Sequence, residues 1–191
     1  MGSTKALLRH ESGETFAETI LRTCAACRLK SVIVRRPGDN ALSKELQKLA
    51  EANLNFIEAF NPDPQSEMAD SFRIGLAAVE YTRHTGAFIW PVDAPGVRVE
   101  TLSLLAKLAI CNPEKAVIPS YKGQKGHPAF MPIGAIAALL DMKPANNVLP
   151  LEHGLHTLLK EIKPEQLIVD VNDHAAAFNI NRPEDLKRLT K

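Results

Sequence analysis

Asp93 lies in Trp90-Pro91-Val92-Asp93-Ala94-Pro95, a carboxylate fenced by two prolines at the end of the nearly continuous apolar run 86–92. Mg²⁺ prefers oxygen ligands and is commonly held by one or two carboxylates together with substrate phosphates. An acid beyond the carboxyl end of a buried strand is therefore placed to hold such an ion; the same residue type also closes ordinary turns. In Phe178-Asn179-Ile180-Asn181-Arg182, Asn179 and Asn181 are alternate residues. On an extended segment they point the same way, and their carbonyl oxygens could complete a magnesium site with Asp93. Alternatively, they merely precede a helix opened by Pro183-Glu184-Asp185, whose acids favour the positive end of its dipole.

Groups suited to phosphate lie elsewhere. Ser120-Tyr121-Lys122-Gly123-Gln124-Lys125-Gly126-His127-Pro128 combines two glycines, two lysines and a histidine after a short strand. Glycines let backbone approach a ligand and lysines supply charge, although a surface turn has the same composition. Arg73, in Ser71-Phe72-Arg73-Ile74-Gly75, has the reach for a phosphate or for plain solvation. His10, His84, His153, His156 and His174 show no metal-ligand spacing. Cys24 and Cys27 form a C-x-x-C pair, but apolar residues recur at helical spacing around them and no second pair completes a zinc site. They are expected to be ordinary helix residues.

These groups need a frame. The 191 residues, 45% hydrophobic, suffice for one buried core, so residues 1–191 are expected to form a single domain. A net charge of +1 gives no support to a nucleic-acid or anionic-membrane partner. No apolar run approaches the roughly 20 residues that span a bilayer, and neither a signal-peptide nor a lipidation pattern is present. With an odd number of cysteines, 3, the expected compartment is the cytoplasm.

The pattern along the chain alternates. Phe16, Ile20, Leu21, Cys24 and Cys27 recur at three- and four-residue intervals, predicting a helix over 14–30, followed by a strand over 31–35 that ends at Pro37-Gly38. Further helices are expected over 41–53, 66–84, 98–110, 133–142, 153–161 and 183–189, the last opened by a proline in its first turn. Strands are expected over 54–59, 86–92, 116–119 and 166–171. Surface loops are expected at Pro62-Asp63-Pro64 and over 143–147. Continuous apolar strands separated by helices predict an α/β fold, a Rossmann-like, mostly parallel sheet with helices on both faces.

Taken in order, these segments resemble the MobA-like nucleotidyltransferases, and among them the molybdenum cofactor cytidylyltransferases. The family opens with a strand and the loop L-A-A-G-x-S-x-R-M-G-x-x-K-x-L-L, whose second half is matched by Met1-Gly2-Ser3-Thr4-Lys5-Ala6-Leu7-Leu8. Its S-x-x-x-G-L helix is matched over 71–76, its P-V-D-x-P over 91–95, its G-x-x-G-H-P over 123–128 and its D-I-D-T-P-E-D-L over 179–186. The resemblance covers the whole chain and implies a fold of the nucleotide-diphospho-sugar transferase type. It implies a Mg²⁺-dependent transfer of a nucleoside monophosphate from CTP, less favourably GTP or ATP, to a phosphorylated acceptor such as molybdopterin, with release of pyrophosphate. By the resemblance Asp93 holds the metal with Asn181 as second ligand, and Lys5 neutralises charge on the triphosphate. Ser71 and Arg73 line the nucleotide side, and His127 faces the acceptor.

The sequence departs from the family pattern twice. It starts inside the first motif, without the preceding strand, the Gly-rich turn and its Arg, and it has Asn179 and Asn181 in place of both acids of D-I-D. The first departure implies poor binding of CTP by this chain, since that turn supplies amide donors to phosphates. The second implies weaker Mg²⁺ binding. Three readings follow: an enzyme whose missing piece is encoded upstream; a catalytically silent relative that keeps the fold to bind a nucleotide, a pterin or a protein; or an enzyme of the same fold acting on sugar phosphates, which Gly126-His127-Pro128 disfavours.

Overall fold

The computed structural model describes residues 5–10, 12–63, 68–80, 83–141, 164–180 and 185. The helix expected over 153–161, the loop over 143–147 and, except for residue 185, the helix expected over 183–189 lie outside the described residues.

A single 3-10 turn, Lys5–Leu7, leads into α1 (Phe16–Ala26), whose first free amides are capped by Thr15: its Oγ1 accepts from Glu18 N at 3.2 Å. Then follow β1 (Val32–Arg35) and α2 (Asn40–Glu51), the latter capped by Asp39, which accepts from Leu42 N at 3.0 Å. β2 (Ile57–Phe60) pairs in parallel with β1. α3 (Met68–Ala77) packs on both strands, and Gly75 permits its approach, since a Cβ there would lie 3.0 Å from Val34 Cγ2. This helix is shorter than the expected 66–84. After it, Val79 N reaches back three residues to Leu76 O, the tightened bond of a helix end.

The second sheet holds β3 (Gly86–Ile89), β4 (Ala116–Tyr121), β5 (Gln124–Lys125), β6 (Ala129–Pro132) and β7 (Gln166–Asp170). α4 (Val99–Cys111) packs on β4 and β6, and α5 (Ile133–Asp141) on β3 and β6. The α/β class stands, but the expectation of a mostly parallel sheet does not. β1 with β2 and β4 with β7 are parallel, whereas β6 is antiparallel to both β3 and β4, and β5 is antiparallel to β4. The cause is the hairpin after β4. Tyr121 pairs with Gln124 across the two-residue turn Lys122-Gly123, and both turn residues have positive φ, 50° and 81°. That is the geometry of a tight two-residue β-hairpin, and it sends the chain back along β4.

Helices cover this sheet unevenly. β4 and β6 are buried almost throughout, whereas β7 alternates between exposed and half-buried residues. Leu105 and Ala109 of α4 meet Val117 and Phe130 in one core. A second core joins Ala6, Ala17, Leu21, Leu42, Leu46 and Leu49, with Val92 packed against it. Each fully buried leucine in these cores contributes roughly 1.5–3 kcal/mol.

α4 is capped from afar. Its N-cap, Arg98, makes no side-chain cap bond of its own. Instead the buried carboxylate of Asp173, 4% exposed, accepts from Arg98 N at 3.0 Å and from Thr101 Oγ1 at 2.6 Å. The Arg98 guanidinium in turn donates to the Asn172 carbonyl.

Candidate active site

Because β3 and β4 are each antiparallel to β6, they run parallel to one another, and β7 runs with β4. The carboxyl ends of β3, β4 and β7 therefore share one edge, where ligands of open α/β sheets bind. Asp93 follows β3, the Lys122-Gly123 hairpin follows β4, and the 3-10 turn His174–Ala177 follows β7.

β3 ends at Ile89, and Pro91, two residues on, has no N–H to give a continued ladder. The chain then turns, with Ala94 N on Pro91 O at 3.1 Å and the Trp90 indole N–H on Ala94 O at 2.7 Å. Asp93 sits at this bend. Its Oδ2 accepts from Lys5 Nζ at 3.0 Å, and its Oδ1 is buried with no hydrogen-bond partner among the described residues. Its backbone carbonyl accepts from Ile180 N at 2.7 Å, bringing residue 180 against the bend. Asn181, the expected second ligand, lies outside the described residues.

His127 reaches the same place by a different route. Between the pairings Val117↔Phe130 and Ser120↔Lys125, β4 advances three residues while the opposing segment advances five, so two residues bulge around Gly126-His127-Pro128. His127 N donates to Ala176 O at 2.7 Å, and Gly126 N to Pro119 O at 2.9 Å. Burial lowers the imidazole pKa below its usual 6.5, opposed by hydrogen bonding with the Ile89 backbone and by the charge of Asp93. The ring thus lies within electrostatic reach of Asp93 and is biased toward its neutral form. Its Nδ1 is buried without a partner among the described residues.

Lys5, Asp93 and His127 are thus brought together, whereas Ser71 and Arg73 lie on α3. Ser71 Oγ accepts from Asn61 Nδ2 at 3.1 Å, which ties α3 to the buried Asn61 at the end of β2. Arg73 has two buried guanidinium nitrogens, Nε and Nη2, with no partner among the described residues. A half-buried guanidinium with two nitrogens unpaired among the described residues suits an anionic ligand. Lys122 and Lys125 stand on the exposed hairpin, Lys122 over the Tyr121 ring at 5.3 Å and Lys125 on Gln166 Oε1 at 2.8 Å.

Two supporting residues escaped the sequence reading. Asn61 carried a local signal, an Asn before Pro62 that closes on Asp63 N at 3.2 Å. Asp173 carried none, because its partner Arg98 is 75 residues away. Cys24 lies on α1 and Cys27 caps its end, both as free thiols; burial pushes the Cys24 pKa up to about 11.

The residues fit a divalent cation. Asp93 offers a buried oxygen that is unpaired among the described residues, beside one already facing an ammonium, and Mg²⁺ needs few protein ligands when phosphates supply the rest. Among the described residues no group of three or more His, Cys, Asp or Glu could hold a metal on its own. No described helix is long and apolar enough to cross a membrane.

Comparison with known proteins agrees with this architecture. Residues 1–169 match the family profile described as MobA-like NTP transferase domain. No curated protein sequence matches the chain. Among solved structures it is similar to Rv0371c of Mycobacterium tuberculosis in complex with manganese, at TM-score 0.69 and 18% identity, covering 98% of this chain and 92% of that one. It is similar to molybdopterin-guanine dinucleotide biosynthesis protein A of Archaeoglobus fulgidus, at TM-score 0.63 and 22% identity, covering 98% and 89%. It also resembles a 4-diphosphocytidyl-2C-methyl-D-erythritol synthase of Anaerococcus prevotii, at TM-score 0.68 and 13% identity, covering 98% and 90%. At these identities the likenesses bear on the fold.

Proposed function

The chain belongs to the MobA-like NTP transferase domain family, and on that premise we propose that it moves a nucleoside monophosphate from an NTP, CTP by preference, to a phosphorylated pterin-type acceptor. An acceptor phosphate oxygen attacks the α-phosphorus, the bond to the β-phosphate oxygen breaks, and pyrophosphate leaves. The observation that carries this reading is the Asp93 carboxylate beyond β3, with Oδ2 on Lys5 at 3.0 Å and Oδ1 buried and unpaired among the described residues.

Asp93 would hold the divalent cation, magnesium in this reading, and Asn181 would be its second ligand by the family resemblance. The cation supplies charge neutralisation on the phosphates. Lys5 adds a point charge where negative charge develops on the leaving pyrophosphate, and Arg73 takes a phosphate oxygen with Nε and Nη2, which have no partner among the described residues. Ser71, held by Asn61, lines the nucleotide side. His127, biased to the neutral form by burial, presents a hydrogen-bonding ring to the acceptor. The reading takes residues 1–191 as one domain, supported by the Lys5–Asp93 and Arg98–Asp173 bonds, which span 88 and 75 positions.

The test is Asp93→Ala, with pyrophosphate release from CTP and Mg²⁺ as the measure. Removing one electrostatic stabiliser from such a site costs roughly 10²–10³ in kcat. The variant is expected to lose at least that while keeping its circular dichroism. Wild-type turnover in the variant would remove Asp93 from the site. Nucleotide binding by the wild type with no pyrophosphate released would favour a binding module.

A further inference from the structure

The segment 173–180 is fastened at three points, and each fastening leads to a different part of the site. At its start, the buried Asp173 carboxylate holds Arg98 N at 3.0 Å and Thr101 Oγ1 at 2.6 Å, fixing the beginning of α4 just downstream of the Asp93 bend. In its middle, Ala176 O accepts from His127 N at 2.7 Å, and Gly126 packs so closely that a Cβ there would lie 1.7 Å from that same oxygen. At its end, Ile180 N donates to Asp93 O at 2.7 Å. Between these points Ala175 and Ala176 pack with Val97 and Trp90.

From this the geometry points to Asp173 as the positioning residue that sets Asp93 relative to His127, through the segment 173–180. This rests on the reading of Asp93 and His127 as site residues. A helix cap alone would need only the Arg98 amide. Here the same oxygen also takes the Thr101 hydroxyl, and the Arg98 guanidinium lies 3.6 Å from it while donating to the Asn172 carbonyl. A carboxylate held by several donors has little freedom, so the segment it begins is fixed in place as well.

Trp90, the only tryptophan of the chain, provides a readout independent of activity, because its indole is bonded to Ala94 O and packs against Ala175 and Ala176. In Asp173→Ala, acrylamide quenching of Trp90 is expected to rise. Mn²⁺ affinity, measured by the spin resonance of free Mn²⁺, is expected to weaken roughly 10–100-fold, the scale for residues that orient metal ligands. The nucleotide KM is expected to move much less than kcat. Asp173→Asn, which keeps an oxygen acceptor, should recover part of each loss, and Thr101→Val should show a smaller change of the same sign. A folded Asp173→Ala with wild-type quenching and wild-type Mn²⁺ affinity would reduce Asp173 to a helix cap. If that variant does not fold, wild-type values in both Asp173→Asn and Thr101→Val overturn the proposal equally. A wild-type chain that neither binds Mn²⁺ nor releases pyrophosphate would count against the proposed function instead, and the quenching series would still decide the role of Asp173.

Discussion

His127 combines two features that seldom coincide at a surface turn: its Nδ1 is buried without a partner among the described residues, and burial lowers its pKa below 6.5. Its folded form therefore binds a proton less readily than its unfolded form. In the window between the lowered folded value and 6.5 the unfolded state holds more protons, so stability rises with pH there and is lost on acidification. His10, also lowered by burial, contributes with the same sign. The midpoint of thermal unfolding is expected to fall as the buffer passes below 6.5, and His127→Gln is expected to flatten that fall in part, leaving the share due to His10. Identical profiles for wild type and variant would mean that His127 protonates as readily in the folded chain as in the unfolded one.

The elements that were legible in the sequence are those whose signal is local. α1 and α2 were read from local patterns and β1 from a β-branched run, whereas the N-caps that open the two helices, Thr15 and Asp39, were not. The direction of strands was not legible, for a physical reason: continuous apolar character records burial on both faces, not orientation. β6, where no strand was expected, is buried throughout and β4 nearly so, yet β6 runs antiparallel between β3 and β4. The stretch before it has the composition of a loop because its turn needs Gly123 at φ 81° and its bulge needs Gly126. Gly126 is required for lack of a Cβ, since an added one would meet the Ala176 carbonyl oxygen at 1.7 Å and its carbon at 2.5 Å. Relieving that overlap means moving backbone, at a cost of roughly 1–3 kcal/mol or more. Gly126→Ala is therefore expected to lower the unfolding midpoint by about 2–4 °C per kcal/mol at this chain length. Gly134, with nothing within 4 Å of an added Cβ, is the control: on α5, alanine there should be neutral or stabilising. Equal stability of the two variants would show that the 126–128 bulge can shift freely.

Across the whole molecule, the candidate site joins parts that the sequence keeps far apart, and this limited how much of it could be read in advance. Asp93 was visible because its strand, its prolines and its acid are contiguous; Asp173 and the Lys5 contact arise only when distant elements meet. Lys5 begins the 3-10 turn whose Ala6 is buried with Leu42 and Leu46, and Val92 packs on that same core immediately before Asp93. Apolar packing on one side thus sets an ammonium against a carboxylate that follows the other sheet. A cation binding Asp93 competes with that ammonium for Oδ2, and a triphosphate offers the ammonium oxygens in exchange. Lys5→Met is accordingly expected to move two constants in opposite directions. Mn²⁺ alone should bind more tightly to the variant, because its competitor is gone. Mn²⁺ with CTP should bind more weakly, by about 10–100-fold, since a hydrogen bond to a charged group is worth roughly 1.5–3 kcal/mol and each 1.4 kcal/mol is tenfold. Calorimetric titration of both ligands into wild type and variant measures the pair. If both constants weaken together, Lys5 serves only to hold Asp93 in place; if neither changes, the ion pair has no part in binding.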